Sequence, residues 1–320
     1  MLDVLRSWAV QDSPPGAAVA ALVARTDLEV GALDRALYEE RTAVALYNAR
    51  SATAIVPADE VAAYATAQLP EGDDQLGPLF KNAAPEGGYA DAFALATDAI
   101  SDALDGRALS RDDLHEALRQ RLPEALLPWC EGCQSHHARR GLLIIAGLRG
   151  RLCLSGRVGR QPEFARTDQL IGWDAPAREE AGKALVDRYR RQYGASSATE
   201  FAQWSGLAPA HARELWALSR VKGGVEQLDG VRLLAPGDPQ LQRRDREAFI
   251  EDAAWRKKVW AASGGAGVVT EDGQVVALWR ARKKGKKLEV TVEGAEIDVT
   301  EQAEGLAPHR GCVTAVIQFA

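Results

Sequence analysis

Three times along this chain, helix-start signals run into a glycine-punctuated hairpin, and no other feature limits the possible folds as much. In the third occurrence Pro176 stands at a good first helical position, and Ala181, Leu185, Tyr189 and Tyr193 recur every four residues on one helix face. Gly194 stops that helix, and Ser197-Ala-Thr-Glu200 has the spacing of a capping box. After the turn Gly206-Leu-Ala-Pro209, a second helix is expected from Ala210 to about Ser219. Asp229-Gly230 then signals a hairpin over Val225 to Leu234. In the middle occurrence Ser110 caps a helix, Asp113 holds the box position and Leu109 staples to Leu114. A helix from His136 to Leu148 follows, then strands Arg151–Leu154 and Glu163–Arg166 around the tip Ser155 to Arg160. In the first, Gly31 to Arg41 reads as helical and Val44 to Val56 as extended, with a new helix opening at Pro57 or Ala58.

Helix, turn, helix and hairpin in that order is the winged-helix plan, in which the second helix enters a DNA groove and the wing touches the backbone. The remainder differs. Pro236-Gly-Asp-Pro239 punctuates a boundary, Asp272-Gly273 marks another hairpin, and Leu288 to Val299 and Cys312 to Phe319 alternate as strands. The expected fold is therefore α+β, mainly α. It has three tandem winged-helix domains (1–85, 86–172 and 173–235) and a β-rich C-terminal domain (236–320).

Charge bears on the partner. The formal net charge is −6, which by itself argues against a polyanion. Residues 1–130, however, carry 10 basic against 21 acidic side chains, whereas 131–167 carry 7 against 2 and 241–290 carry 12 against 7. The two basic stretches sit where a wing and a strand-to-strand loop are expected. A solvated charged face is one reading of such runs; two basic loops between strands favour a polyanion-binding surface. Apolar residues make up 46% of the chain, enough for packed cores, yet no run approaches the roughly 20 residues of a membrane span. The N-terminus lacks a signal-peptide layout, and four cysteines form no disulfide framework, so a cytoplasmic, soluble chain without a membrane partner is expected.

Several strings, in order, resemble a known family. They are Ala9-Val-Gln11-Asp12-Ser-Pro-Pro-Gly, Tyr47-Asn-Ala-Arg50 with Ile55-Val-Pro57, Pro128-Trp-Cys130-Glu-Gly-Cys133-Gln-Ser-His136-His137, Glu200-Phe-Ala-Gln-Trp204-Ser-Gly206, and Val276-Ala-Leu-Trp279-Arg280. The family is that of tandem winged-helix proteins that includes bacterial glycosylases which unhook azinomycin-type DNA crosslinks and remove bulky N7-alkylpurines, a DNA-repair and self-resistance role. The resemblance implies a concave cradle for double-stranded DNA, with a Gln-apolar-Gln or Gln-apolar-Asp motif in the first domain positioning the attacking water. Two oxygens spaced two residues apart on an extended segment can hold one water between them. This chain departs from that motif. With Gln11 as its second member, the first is Ala9; with Gln11 as its first, the third is Ser13 and Asp12 is displaced by one. A further family pattern keeps only Arg50 and the aromatic Tyr47, with Ala54 at its last position.

The resulting assignment is Gln11 and Asp12 as the catalytic pair. Arg50, His136, His137, Arg139, Arg140, Arg151, Arg157, Arg160, Arg280, Arg282, Lys283, Lys284, Lys286 and Lys287 are assigned to DNA. The alternative is a non-catalytic DNA-binding regulator or lesion-binding factor. No cofactor is required by either, and a monomer is favoured. Cys130-x-x-Cys133-x-x-His136-His137 has the residue types of a zinc site, with Cys130, Cys133 and His136 as the candidate ligands and Cys153 as a candidate fourth. Against that, the cysteines suit small core residues near a turn, and no metal is assigned. Trp8, beside Gln11, is a candidate wall for a base-binding cleft; Trp204 and Trp216 read as core.

Overall fold

A computed structural model describes residues 1–80, 87–159, 161–223 and 228–320. The chain is α+β and divides into two compact units, each assembled from separated stretches. One comprises residues 34–189 and 196–221; the other comprises 1–33, 190–195 and 222–320.

The 34–189 unit is built around a five-stranded antiparallel sheet in the order Thr53–Pro57, Ala43–Tyr47, Cys153–Val158, Gln161–Ala165, Leu109–Ser110. The two hairpins read from sequence as wings of separate domains thus share one sheet, joined where Ala45 pairs with Leu154. The helix Arg140–Leu148 packs against Ala43–Tyr47 and against the helices Val61–Thr66, Asp73–Phe80 and Gly88–Ala103. Every residue from Gly141 to Leu148 is buried, so this apolar run is a core helix packed on all sides. Gly141 permits the approach: a Cβ there would lie 2.1 Å from the Leu79 carbonyl oxygen.

Local signals were mostly obeyed here. Ser110 accepts from the Asp113 amide at 3.2 Å and opens Arg111–Arg119, with Leu114 fully buried. Ser197 and Glu200 form the full capping box of Ala198–Ser205, and Pro209 opens the second helix, Pro209–Ala217. Trp204 is buried and Trp216 partly so, and both pack around Tyr189 in an aromatic cluster with Phe201. The helical reading of Gly31–Arg41 holds over residues 32–39, as a short α-turn, Ala32–Asp34, that continues into a π-helical turn, Arg35–Glu39. One expectation fails here. The helix expected from His136 begins only at Arg140, because Ser135–His136 pairs as a strand with Trp129–Cys130.

The other unit has a second five-stranded sheet: Val231–Leu234, Gly267–Glu271, Gln274–Lys284, Lys287–Gly294 and Thr314–Phe319. Asp272 and Gly273, at φ 47° and 80°, make the tight turn expected of Asp-Gly. Thr314–Phe319 runs parallel to Lys287–Gly294, connected through the helix Thr300–Leu306. Val231–Leu234 pairs with Gly267–Glu271, not within the local hairpin expected at Asp229-Gly230; residues 225–227 of that expectation lie outside the described residues.

Alternation along these strands supplies two cores. Val269, Ala277, Trp279, Val290 and Val292 face one way, together with Leu306 and Ala20. Val268 and Leu278 face the other, with Leu241, Ile250, Val259 and Ala24. Ala20 and Ala24 come from the segment Met1–Leu33, so the stretch carrying Gln11 and Asp12 shares its core with the C-terminal sheet.

Candidate functional site

Gln11 and Asp12 lie between the helices Leu2–Ser7 and Ala17–Val23. Gln11 is 6% exposed. Asp12 turns Oδ1 onto the start of the second helix, accepting from the Gly16 amide at 2.6 Å and the Ala18 amide at 3.3 Å. It satisfies backbone donors that a helix start leaves unpaired. The position two before Gln11, Ala9, is also buried, and its amide donates to Gln192 Oε1 at 3.2 Å. Gln192 Nε2 donates to Tyr193 Oη, which donates to the Pro239 carbonyl, both at 2.7 Å. This buried relay pins the backbone next to the motif. Nothing local in sequence announces it, since Ala9 and Gln192 lie 183 residues apart. Trp8 is buried under Arg25, whose guanidinium carbon lies 4.4 Å from the ring centroid, so Trp8 packs a charged side chain and does not wall a cleft.

In the 34–189 unit, the turn joining Ala43–Tyr47 to Thr53–Pro57 presents Arg50. Buried Asn48 accepts from the Arg50 and Ala52 amides, each at 3.0 Å, and buried Gln68 accepts from the Ala49 amide at 3.2 Å. Arg50 lies over Trp204 at 5.6 Å, and a Cβ at Gly206 would come within 2.5 Å of its Cγ. Three residues earlier, Tyr47 carries Arg140 over its ring at 4.4 Å. Two arginine–aromatic stacks therefore flank one turn. Burial raises the Tyr47 phenol above its usual range, opposed by the Arg140 and Arg111 charges, so it stays a neutral donor.

The histidines are placed differently from the expected recognition helix. His136 Nδ1 meets the Leu127 carbonyl at 2.8 Å, and its ring packs edge-on to Trp129. His137 joins Cys130 and Cys133, with ligand atoms of all three within 4.8 Å of one another. The third member of the cluster is thus His137 and not His136. Strand alternation gives the reason: Trp129 pairs with His136 and Cys130 with Ser135, so His137 follows on the Cys130 side and His136 on the Trp129 side. Cys153 is buried elsewhere and is not part of the cluster. Its thiol is pushed up to about 11 by burial. A hydrogen bond with His137 brings the Cys130 thiol down to about 7, and Cys133 is raised by its hydrogen bond with Cys130. His115 faces His137 at 4.7 Å between ring centroids; burial first, then the His137 charge, lowers it to about 4.

The remaining basic residues divide into tethered and outward-facing groups. Arg151 is bound by Asp168, which also pairs with Arg166 at 2.6 Å. Arg139 is the partly buried N-cap of Arg140–Leu148. Arg140 and Arg157 are exposed, and Arg160 lies outside the described residues. In the other unit the basic run is a hairpin, Gln274–Lys284 turning through Gly285-Lys286 into Lys287–Gly294. Arg280, Arg282, Lys283, Lys284, Lys286 and Lys287 are all exposed on it. Arg282 and Lys284 share Glu289 across the strands, at 2.7 and 3.1 Å, and Arg280 donates to the Gly264 carbonyl. Glu289 is held well below its usual range by those two partners, so it stays ionised and fixes both cations in place.

Capped helix pairs, antiparallel hairpins with basic tips and a polar motif segment on a buried backbone relay define an α+β scaffold of the kind that handles polyanions. A protein-family model described as DNA glycosylase AlkZ-like matches residues 4–309, and the chain belongs to that family. Among solved structures it is similar to the Streptomyces sahachiroi DNA glycosylase AlkZ, with a TM-score of 0.70 and 18% identity over 99% of this chain and 92% of that one. That likeness is one of fold. No curated protein matches the sequence. Among the described residues no helix is long and apolar enough to cross a membrane.

Proposed function

We propose that this chain is a cytoplasmic, monofunctional DNA glycosylase that binds duplex DNA and releases bulky N7-alkylated purines. The observation that carries the reading is the family match across residues 4–309. In this reading three winged-helix segments and the C-terminal sheet meet the duplex. Arg50, Arg139, Arg140 and Arg157 are the DNA contacts proposed within the 34–189 unit, and the Arg280–Lys287 hairpin is the basic surface proposed within the other unit. An N7-alkylpurine is already cationic, so the N9–C1′ bond breaks with its electron pair returning to a base that leaves neutral. Water oxygen bonds to C1′ and gives up its proton to Asp12 or to solvent. The protein's work is to orient that water and to stabilise positive charge developing on the sugar. Asp12 suits the task while capping its helix, because a carboxylate offers about four acceptor positions on two oxygens. Gln11 supplies a second polar group on the adjacent residue. The test is release of the modified base from duplex DNA carrying an N7-alkylguanine. Release by the wild type, lost in Gln11→Ala, is the expected result; release unchanged in that variant would remove Gln11 from the site.

A second reading rests on Ala9. Its methyl group cannot hold a water, and its amide is committed to Gln192. A chain lacking that polar position fits a non-catalytic factor that binds DNA without cleaving the glycosidic bond. Salt-sensitive binding to the same duplex without base release would establish it.

A further inference from the structure

We propose that Cys130, Cys133 and His137 form a zinc site that clasps the segment leading into the helix Arg140–Leu148. The ligand atoms already lie within 4.8 Å of one another. Bond lengths of about 2.3 Å to sulfur and about 2.0 Å to nitrogen at tetrahedral angles place such atoms roughly 3.5–3.8 Å apart. Side-chain movements of about 1 Å or less close the difference, with no change in the backbone.

The local fold arranges the three in a fixed way. Cys130 ends the first strand of a two-residue pair, and the Cys133 amide donates back to the Cys130 carbonyl at 3.2 Å across the turn. Gln134, at φ 50°, sends the chain into the return strand, and alternation from Ser135 brings His137 to the side of the cysteines.

The state of the His137 ring agrees with a ligand. Nδ1 lies 2.9 Å from the Ala138 carbonyl oxygen, which can only accept, so Nδ1 carries the hydrogen and donates it. Nε2 is thereby left with its lone pair, and it is buried on the side of the Cys130 thiol. A backbone carbonyl on one ring nitrogen and a metal on the other is the usual arrangement of a ligating histidine. His115, ring against ring, backs the imidazole from the helix Arg111–Arg119. Two thiolates and an imidazole select a borderline-soft cation, which favours zinc over magnesium or calcium. Cys133 is exposed, so solvent completes the tetrahedron.

The position gives the site its purpose. Only Ala138 and Arg139 separate His137 from the helix, and Arg139 is its N-cap. A metal here would fix the entry to a helix whose first residue, Arg140, stacks on Tyr47.

The full-length chain, purified under reducing conditions without chelator, is expected to carry one zinc per chain by mass spectrometry of the metal. Exchange of zinc for cobalt should give the thiolate charge-transfer and visible bands of tetrahedral cobalt. Cys130→Ser, Cys133→Ser and His137→Asn should each lose those bands while keeping the wild-type circular dichroism. His136→Asn should retain them. Should a cysteine variant fail to fold, chelator-stripped wild type titrated with cobalt gives the same reading. Absence of the bands in that titration would overturn the site. So would loss of the bands in His136→Asn but not in His137→Asn. Thiol counting supplies the third arm: two masked thiols freed by chelator support zinc, whereas two freed only by reductant mean a Cys130–Cys133 disulfide and defeat the proposal.

Discussion

Arg25 and Asp238 are joined by two parallel hydrogen bonds, Nη1 to Oδ2 at 2.7 Å and Nη2 to Oδ1 at 2.8 Å, with both side chains almost wholly out of solvent. Trp8 packs on the guanidinium, and Asp238 also accepts from the Gln240 amide at 2.9 Å. The pair ties the segment carrying Gln11 and Asp12 to the start of the C-terminal portion, 213 residues away. Removing one partner of a buried pair leaves the other uncompensated, typically at about 3–5 kcal/mol, whereas replacing both with apolar side chains is often near neutral. Asp238→Ala should therefore lose several kcal/mol of stability in guanidinium unfolding. Arg25→Met with Asp238→Leu should recover most of it. Equal losses in the single and double variants would mean that the pair carries no specific coupling.

Asp12 is assigned both a structural and a chemical part, and two substitutions separate them. Asp12→Asn keeps an oxygen for the Gly16 and Ala18 amides, so it should stay within a few tenths of a kcal/mol of wild type; Asp12→Ala should cost about 1 kcal/mol. Both remove the carboxylate. If the Asp12 carboxylate takes the proton of the attacking water, base release falls alike in both, by about 100-fold or more. Release that follows thermal stability across the two variants would restrict Asp12 to capping.

Phosphate contacts are counted by salt. Each phosphate neutralised contributes about 0.9 to the slope of log affinity against log salt concentration. Lys286→Ala with Lys287→Ala should lower the slope for duplex DNA by roughly 2. Arg151→Gln should leave the slope nearly unchanged, because Asp168 already occupies that guanidinium. A slope unmoved by the lysine pair would place the C-terminal hairpin off the DNA.

How much of this was legible in the sequence depends on the range of each interaction. Ser110, Ser197, Pro209 and Asp272-Gly273 act within a few residues, and their caps and turns follow from spacing alone. The pairing of Val231–Leu234 with Gly267–Glu271 depends on a strand more than 30 residues away, which a local Asp-Gly signal cannot report. The Cys130 cluster is an instructive case. Spacing alone offered His136, but counting alternation through the strand pair selects His137, so the information was present once the hairpin was recognised. For the motif segment the sequence singles out Gln11 and Asp12 as candidates only. Their setting comes from Gln192, Tyr193 and Asp238, whose roles rest on contacts across most of the chain.

His211 supplies a pH test in which the sign can be worked out. It is 1% exposed, and the Arg178 Nη2 donates to its Nε2 at 2.8 Å, so that nitrogen must keep its lone pair in the folded chain. Burial, and then the Arg178 charge, lower its pKa from the ordinary 6.5 to about 4. Between those values the unfolded chain binds a proton that the folded chain does not, so stability rises with pH through this window and is lost as pH falls from 6.5 toward 4. The histidine contributes at most about one proton to the slope of unfolding free energy against pH. His211→Gln can still accept from Arg178 but cannot titrate, so it should flatten the slope by up to that amount, measured by denaturant unfolding across the window. A slope identical to wild type would show that His211 is already protonated in the fold, and that Arg178 does not donate to it.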